Sequence, residues 1–105
     1  LGLIPGTTDF SGPDVESQTK QALQNLKAVL EAGGSCLEHV VKTTVFLQDM
    51  GEFAQMNGVY AQFFTSNPPA RSAIQAAALP LGGRVEIEAV ATVCQGDCDC
   101  QQDCC

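Results

Sequence analysis

Apolar residues recur with a helical period over residues 15–32, where polar residues occupy the opposite side. One face of this segment carries Val15, Ala22, Leu23, Leu26, Val29 and Leu30. That spacing predicts an amphipathic helix. Asp14 precedes the segment as a candidate N-cap, and the flexible pair Gly33 and Gly34 is expected to end it.

A second amphipathic helix is predicted over about residues 51–64. Its apolar stripe consists of Phe53, Met56, Tyr60, Phe63 and Phe64. Asp49 stands three residues before Glu52, which is the spacing of a capping box with aspartate as the cap. The segment 67–69, Asn-Pro-Pro, is expected to end the helix because proline does not continue one.

Three segments with the composition and alternation of strands cover residues 39–47, 71–78 and 84–93. In the first of them, alternation places Val41, Thr43, Val45 and Leu47 on one face. The linker 79–83 is too short for a crossover helix, so we expect the last two strands to be antiparallel neighbours. The order of elements predicts an α+β two-layer sandwich, with both helices on one face of a small sheet.

The composition is that of a small globular domain: 105 residues, of which 45% are hydrophobic and 16% charged, with a net charge of −7. Five Lys and Arg residues without a basic run argue against binding to nucleic acid, which needs clustered cations. No apolar run approaches the roughly 20 residues of a membrane span. The high apolar content of so small a chain also suggests that part of its surface is buried between subunits.

The composition changes after Val93, since residues 94–105 hold five of the six cysteines and three aspartates. We interpret residues 1–93 as the folded domain and residues 94–105 as a disordered acidic tail. A thiolate site for soft metals is the alternative, although the paired spacing of an ordered zinc site is lacking. At the other end, the chain starts in what resembles the end of a strand, and we expect it to be a fragment.

The candidate chemical groups are an arginine, two glutamates and an amide. The planar guanidinium of Arg71, after two prolines and an alanine, suits a carboxylate, although spacing alone favours an ordinary surface salt bridge. Glu86 and Glu88 share one strand face, which is either a solvated surface or a cleft where one of them handles a proton or a water. Asn57 is either a satisfied half-buried amide or a site residue.

An ordered set of segments resembles the RidA (YjgF) family of reactive intermediate/imine deaminases, also called endoribonuclease L-PSP proteins. The set consists of KTTVFL at 42–47, Phe53 with Asn57 and Tyr60, FF at 63–64, PARS at 69–72, ALP at 78–80 and VEIEAVA at 85–91. The resemblance extends from about residue 2 to residue 93. No single segment is specific, but the ordered set is.

This resemblance implies a chorismate-mutase-like fold, with two helices on one face of a mixed sheet and an N-terminal hairpin that is missing here. It implies a homotrimer with sites in clefts between subunits. The implied activity is that of a 2-iminobutanoate/2-iminopropanoate deaminase-type hydrolase, which converts 2-aminoacrylate and related enamines or imines to 2-keto acids and ammonia. No metal or organic cofactor is implied. Six cysteines without a signal sequence favour the cytoplasm, and mitochondrial members also occur in the family.

The resemblance assigns roles to five residues. Arg71 corresponds to the arginine that binds the substrate carboxylate, and the backbone amide of Ala73 adds a second donor. Glu86 corresponds to the glutamate that orients water, while Asn57 and Phe53 match pocket positions. Arg71 and Glu86 are therefore the expected catalytic residues. The alternatives are an endoribonuclease or translation inhibitor, and a non-enzymatic binding or chaperone-like module.

Overall fold

Two helices cover one face of a three-stranded mixed sheet in the computed structural model, which describes residues 1–93. The elements are helices α1 (Val15–Ala32) and α2 (Phe53–Phe63) and strands β1 (Val40–Leu47), β2 (Ala70–Gln75) and β3 (Val85–Ala91). The predicted two-layer sandwich is confirmed. The predicted tail, residues 94–105, lies outside the described residues.

Helix α1 begins and ends where the sequence predicts. The carboxylate of Asp14 accepts hydrogen bonds from the backbone amide of Ser17 at 2.9 Å and from its hydroxyl at 2.7 Å. These bonds, the hydroxyl first, lower the pKa of Asp14 because they favour the charged carboxylate. At the other end, the amide of Gly33 donates to Val29, and Gly34 adopts a φ of +83° that suits glycine.

The buried face of α1 is more polar than predicted. Gln18 is buried, and its side chain links the loop before α1 to the start of β3. Its amide nitrogen donates to the carbonyl of Gly12 at 2.9 Å, and its oxygen accepts from the amide of Arg84 at 2.8 Å. Val29, which was predicted on the buried face, is 68% exposed because it borders an open pocket instead of the core.

The strand order is β2-β1-β3, so the prediction that the last two strands are neighbours is wrong. Strand β2 runs parallel to β1, and β3 runs antiparallel to it. The two outer strands therefore have opposite directions, as expected, but β1 lies between them. Their connection passes the end of β1 through a short 3-10 turn, Pro80–Gly82, without an α-helix.

Hydrogen bonds at the end of β1 hold this connection in place. The amide of Ala76 donates to the carbonyl of Leu47 at 2.8 Å, and the amide of Gln48 donates to the carbonyl of Arg84 at 3.0 Å. The side-chain oxygen of Gln48 accepts from the amide of Leu79 at 3.2 Å. Gln48, the first residue after β1, thus binds both ends of the linker.

Strand β1 is central and contributes Thr43, Val45 and Leu47 to the core, as the alternation predicts. Val41, which was predicted on the same face, is 51% exposed. A register shift in the pairing with β3 lies between Val40 and Lys42, and Val40 is buried in place of its neighbour. A β-bulge of this kind reverses the alternation locally, which the sequence pattern does not show.

The start of α2 departs from the predicted capping box. Asp49 does act as a cap, since its side chain accepts from the amide of Gly51 at 2.8 Å. The side chain of Glu52 does not return to the cap, because it binds Arg84. A short 3-10 turn, Met50–Glu52, therefore precedes the helix. Within residues 1–93, no helix combines the length and apolar character that crossing a membrane requires.

Candidate functional site

Arg71, near the start of β2, extends its side chain over α2. Its Nη1 donates to Oδ1 of Asn57 at 2.5 Å. Its Cζ lies 5.1 Å from the ring centroid of Phe53 and 4.7 Å from that of Tyr60. The three α2 residues are spaced by four and three positions, so they share one helix face. The structure thus brings together three of the predicted site residues: Arg71, Asn57 and Phe53.

Tyr60 is a part of this cluster to which the sequence assigned no functional role. It is 4% exposed, and its hydroxyl forms a 2.8 Å hydrogen bond with the hydroxyl of buried Thr43. Its ring also contacts Phe64, with a centroid separation of 4.7 Å. The sequence signal that could have indicated this role is the position of Tyr60, three residues after Asn57 on the same helix face. An aromatic residue on such a stripe is usually interpreted as a core residue. Tyr60 is a core residue and also belongs to the Arg71 cluster.

An open pocket of about 380 Å³ lies beside the guanidinium of Arg71. It is lined by Asn57, Tyr60, Ala61, Phe64, Pro68, Pro69 and Arg71. Most of this wall is apolar, while one cation and one amide supply polar groups. Such a combination suits a small molecule that has a carboxylate and an apolar substituent.

Arg71 differs from Arg84 in the groups that face its charge. Arg84 forms a two-point ion pair with Glu52, with Nε to Oε1 at 2.9 Å and Nη2 to Oε2 at 2.7 Å. The hydrogen bond to Glu52 and its negative charge raise the pKa of Arg84. Within residues 1–93, no carboxylate contacts Arg71, whose partners there are neutral. Arg71 is therefore the guanidinium that remains available for an external anion.

Ala73 lies two residues beyond Arg71 on β2, so the two side chains are directed to the same side of the sheet. Its register partner on β1 is Val45, and it is half-buried against the core. It is not among the residues that line the pocket beside Arg71. The role of its backbone amide as a donor stays a prediction.

Glu86 lies on the opposite face of the sheet from Arg71. Arg71 pairs with Thr43 on β1, whereas Glu86 pairs with Phe46. Thr43 and Phe46 are three positions apart, so their side chains, and those of their partners, are directed to opposite faces. Two strand spacings also separate β2 from β3, or about 10 Å. One chain alone therefore does not bring the two expected catalytic residues to one small substrate.

The surroundings of Glu86 are open. This half-buried residue borders a pocket of about 550 Å³ at the free edge of β3, together with N-terminal residues such as Leu1 and Leu3 and α1 residues such as Asn25. Within residues 1–93, its carboxylate has no hydrogen-bond or ion-pair partner. Glu88, two positions on, is exposed on the same face. The predicted alternation of β3 is confirmed, and Glu86 is the less exposed of its two glutamates.

Comparison with known proteins matches this architecture to a family. The model of the family described as endoribonuclease L-PSP matches residues 1–93. Reactive Intermediate Deaminase A, chloroplastic, of Arabidopsis thaliana is 47% identical over 93 residues, which cover 89% of this chain and 50% of that protein. The 2-iminobutanoate/2-iminopropanoate deaminase of Homo sapiens is 47% identical over 91 residues, which cover 87% and 66% respectively.

A solved structure with the same fold carries a bound amino acid. The crystal structure of E. coli TdcF with bound serine matches with a TM-score of 0.80 and 39% identity, over 86% of this chain and 72% of that one. The present chain spans from half to about two-thirds of the length of the two curated relatives named above.

Proposed function

The chain belongs to the endoribonuclease L-PSP family, which is also the RidA or YjgF family, and we propose that it hydrolyses 2-aminoacrylate and related enamines or imines to 2-keto acids and ammonia. The observation that carries this proposal is the guanidinium of Arg71. It faces a small, largely apolar pocket and has no carboxylate partner within residues 1–93. The names of the Arabidopsis and human relatives support the reaction class.

In this proposal Arg71 binds the substrate carboxylate. A guanidinium offers parallel N–H groups in a plane, so it fixes the orientation of a carboxylate as well as attracting it. Asn57 accepts from one nitrogen of Arg71, which leaves the other donors for the substrate. The backbone amide of Ala73 adds a further donor, and the ring of Phe53 lies against the guanidinium of Arg71. Fixing the carboxylate places the imine carbon in a defined position, which favours reaction.

Glu86 is proposed to activate the water. An enamine such as 2-aminoacrylate first takes a proton on carbon and becomes an iminium ion. The Glu86 carboxylate accepts a proton from water as the water oxygen bonds to the iminium carbon and the π electrons of the C=N bond move to nitrogen, which gives a neutral carbinolamine. Glu86 then returns this proton to the nitrogen. The carbon–nitrogen bond breaks as the hydroxyl group gives its proton to Glu86 and the carbonyl forms, and ammonia leaves. General acid–base help of this kind contributes about 10²- to 10⁴-fold to a rate. The scheme uses no metal or organic cofactor.

We propose that the complete site lies between two copies of the chain. Arg71 and Glu86 are on opposite faces, so one copy supplies the first and a neighbour supplies the second. Head-to-tail contacts of this type close into rings, and a homotrimer is the proposed ring. Ile74 and Val90, which are 48% and 62% exposed on the face away from the helices, offer apolar surface for such contacts. The cytoplasm is the proposed compartment, although the Arabidopsis relative is named as chloroplastic.

The test is the release of pyruvate from 2-aminoacrylate that is generated in the reaction mixture. We expect the chain to accelerate release, and Arg71→Ala to lower kcat/KM by about 10- to 100-fold, the value of a charge-assisted hydrogen bond. Arg71→Lys keeps the positive charge but lacks the planar guanidinium, so its kcat/KM should lie between those of the wild-type chain and Arg71→Ala. Equal rates for the wild-type chain and Arg71→Ala would refute the proposed role of Arg71.

A further inference from the structure

Tyr60 is held at both ends of its side chain. At one end its hydroxyl is bonded to Thr43 at 2.8 Å, and both residues are buried. On the face of its ring, Cζ of Arg71 lies 4.7 Å from the ring centroid. A guanidinium within about 6 Å of a ring centroid is attracted to the ring face. Tyr60 therefore connects the interior of the protein to an exposed cation.

The hydroxyl partner of Tyr60 is also next to Arg71 along the sheet. Thr43 is the register partner of Arg71 in the parallel pairing of β1 with β2. The hydrogen bond thus fixes the ring of an α2 residue relative to the strand position beside Arg71. Phe53, the other ring near the guanidinium, lies farther away at 5.1 Å and has no polar anchor.

We propose that Tyr60 is a positioning residue, which holds the guanidinium of Arg71 in the orientation that receives a carboxylate. This inference rests on the proposed function, because it concerns the same anion site. A solvent-exposed arginine that moves freely loses side-chain freedom when it binds a ligand, and this loss lowers affinity. Contact with the Tyr60 ring and the hydrogen bond to Asn57 restrict the guanidinium before the ligand arrives.

The affinity for 2-oxobutanoate, an unreactive 2-keto acid of the proposed product class, measures this effect by calorimetry. Tyr60→Leu removes the ring but keeps an apolar side chain, and we expect Kd to rise by about two- to five-fold, the value of an exposed cation–ring contact. Tyr60→Phe keeps the ring but lacks the hydroxyl that binds Thr43, so its Kd should lie between those of the wild-type chain and Tyr60→Leu. Met56→Leu is the matched control, since this fully buried α2 residue belongs to the core cluster away from the pocket lining.

A measurement on the unmodified chain keeps the inference testable even if Tyr60→Leu does not fold. Tyr60 is the sole tyrosine of the 105 residues, and there is no tryptophan, so its ring resonances are unambiguous by NMR. We expect 2-oxobutanoate to shift these resonances in the wild-type chain and not in Arg71→Ala.

The outcomes separate the two proposals. If Arg71→Ala leaves Kd unchanged, the proposed carboxylate anchor fails and the inference fails with it. If Arg71→Ala weakens binding but Tyr60→Leu binds as the wild type does, the positioning role alone is refuted. The same holds if 2-oxobutanoate binds the wild-type chain without moving the Tyr60 resonances.

Discussion

Arg71 and Glu86 differ in the number of contacts that the chain itself makes with each side chain. Arg71 is held by an amide and two aromatic rings from a single helix. Glu86 lies on the other face of the sheet, at the free edge of β3, with no polar partner within residues 1–93. The chain by itself therefore arranges the surroundings of Arg71, the proposed carboxylate anchor, whereas Glu86, the proposed water activator, is the residue for which we propose that a neighbouring copy completes the site.

Glu86→Gln should have the largest effect of these variants. It should lower activity and leave stability nearly unchanged. The amide keeps the size of the side chain but does not accept a proton, so we expect kcat to fall by about 10²- to 10⁴-fold. Because the carboxylate has no partner within residues 1–93, the free energy of unfolding should change by less than about 0.5 kcal/mol.

Glu88→Gln is the control for that variant, because Glu88 lies two positions away on the same strand face. It should retain kcat within about two-fold. Equal losses in both variants would show that the effect comes from the charge of this face and not from a specific role of Glu86.

Leu47→Ala tests the packing of the helix-covered face of the sheet. Leu47 is fully buried, so its truncation should lower the free energy of unfolding by about 2–5 kcal/mol in a denaturant titration. Leu81→Ala deletes the same atoms from a residue that is 61% exposed, and should cost less than about 0.5 kcal/mol. Similar losses of unfolding free energy in the two variants would contradict the placement of Leu47 in the core.

Thr43→Val should have a smaller effect on stability than Leu47→Ala. The substitution keeps the shape of the side chain but leaves the buried hydroxyl of Tyr60 without its partner, at a cost of about 1–3 kcal/mol. Thr44→Val is the control on the next position, which is only half-buried and lies on the other face. A denaturant titration that gives equal values for the two valine variants would contradict the importance of the hydrogen bond between Thr43 and Tyr60.

Asp14→Ala should give the smallest loss of stability, and this loss should depend on pH. Hydrogen bonds from Ser17 lower the pKa of Asp14 below its ordinary value of 3.8, so the folded state binds this proton less readily than the unfolded chain does. The stabilisation is therefore complete above that value and is lost as the pH falls through the folded pKa.

The measurement for this prediction is the difference in Tm between Asp14→Ala and the wild-type chain. The difference should be constant near neutral pH and should narrow below 3.8. Asp9→Ala, which removes an exposed carboxylate from the same N-terminal segment, is the control. A difference that stays constant down to strongly acidic pH would refute the role of the Asp14 carboxylate as a charged cap.

Local pattern was enough to predict the elements but not their arrangement. Periodicity and cap residues gave both helices and all three strands, because these signals lie within a few residues of each element. Strand β1 lies between β2 and β3 because it pairs with both, and Gln48 adds hydrogen bonds to residues more than 30 positions away. Nothing in the linker itself encodes these contacts. The bulge at Val41 and the exposure of Val29 likewise depend on neighbouring elements.

The candidate site was predicted only in part for the same reason. The spacing of Phe53 and Asn57 on one helix, with the resemblance of the segment around Arg71 to a known family, pointed to one cluster. Tyr60 was read as a core residue because its hydroxyl partner, Thr43, lies 17 positions away on another element. The placement of Arg71 and Glu86 on opposite faces follows from the register of β2 and β3 on β1, which the sequence did not reveal.

Mixing two impaired variants tests whether one site takes Arg71 from one copy and Glu86 from another. Arg71→Ala and Glu86→Gln chains are unfolded together, refolded as mixed assemblies and assayed for deamination. If neighbouring copies complete each site, random mixing of equal amounts leaves about a quarter of the interfaces with both groups intact. We therefore expect recovery to about a quarter of wild-type activity, against at most about a tenth for each variant alone. Mixed assemblies that remain as inactive as the separate variants would contradict a site shared between copies.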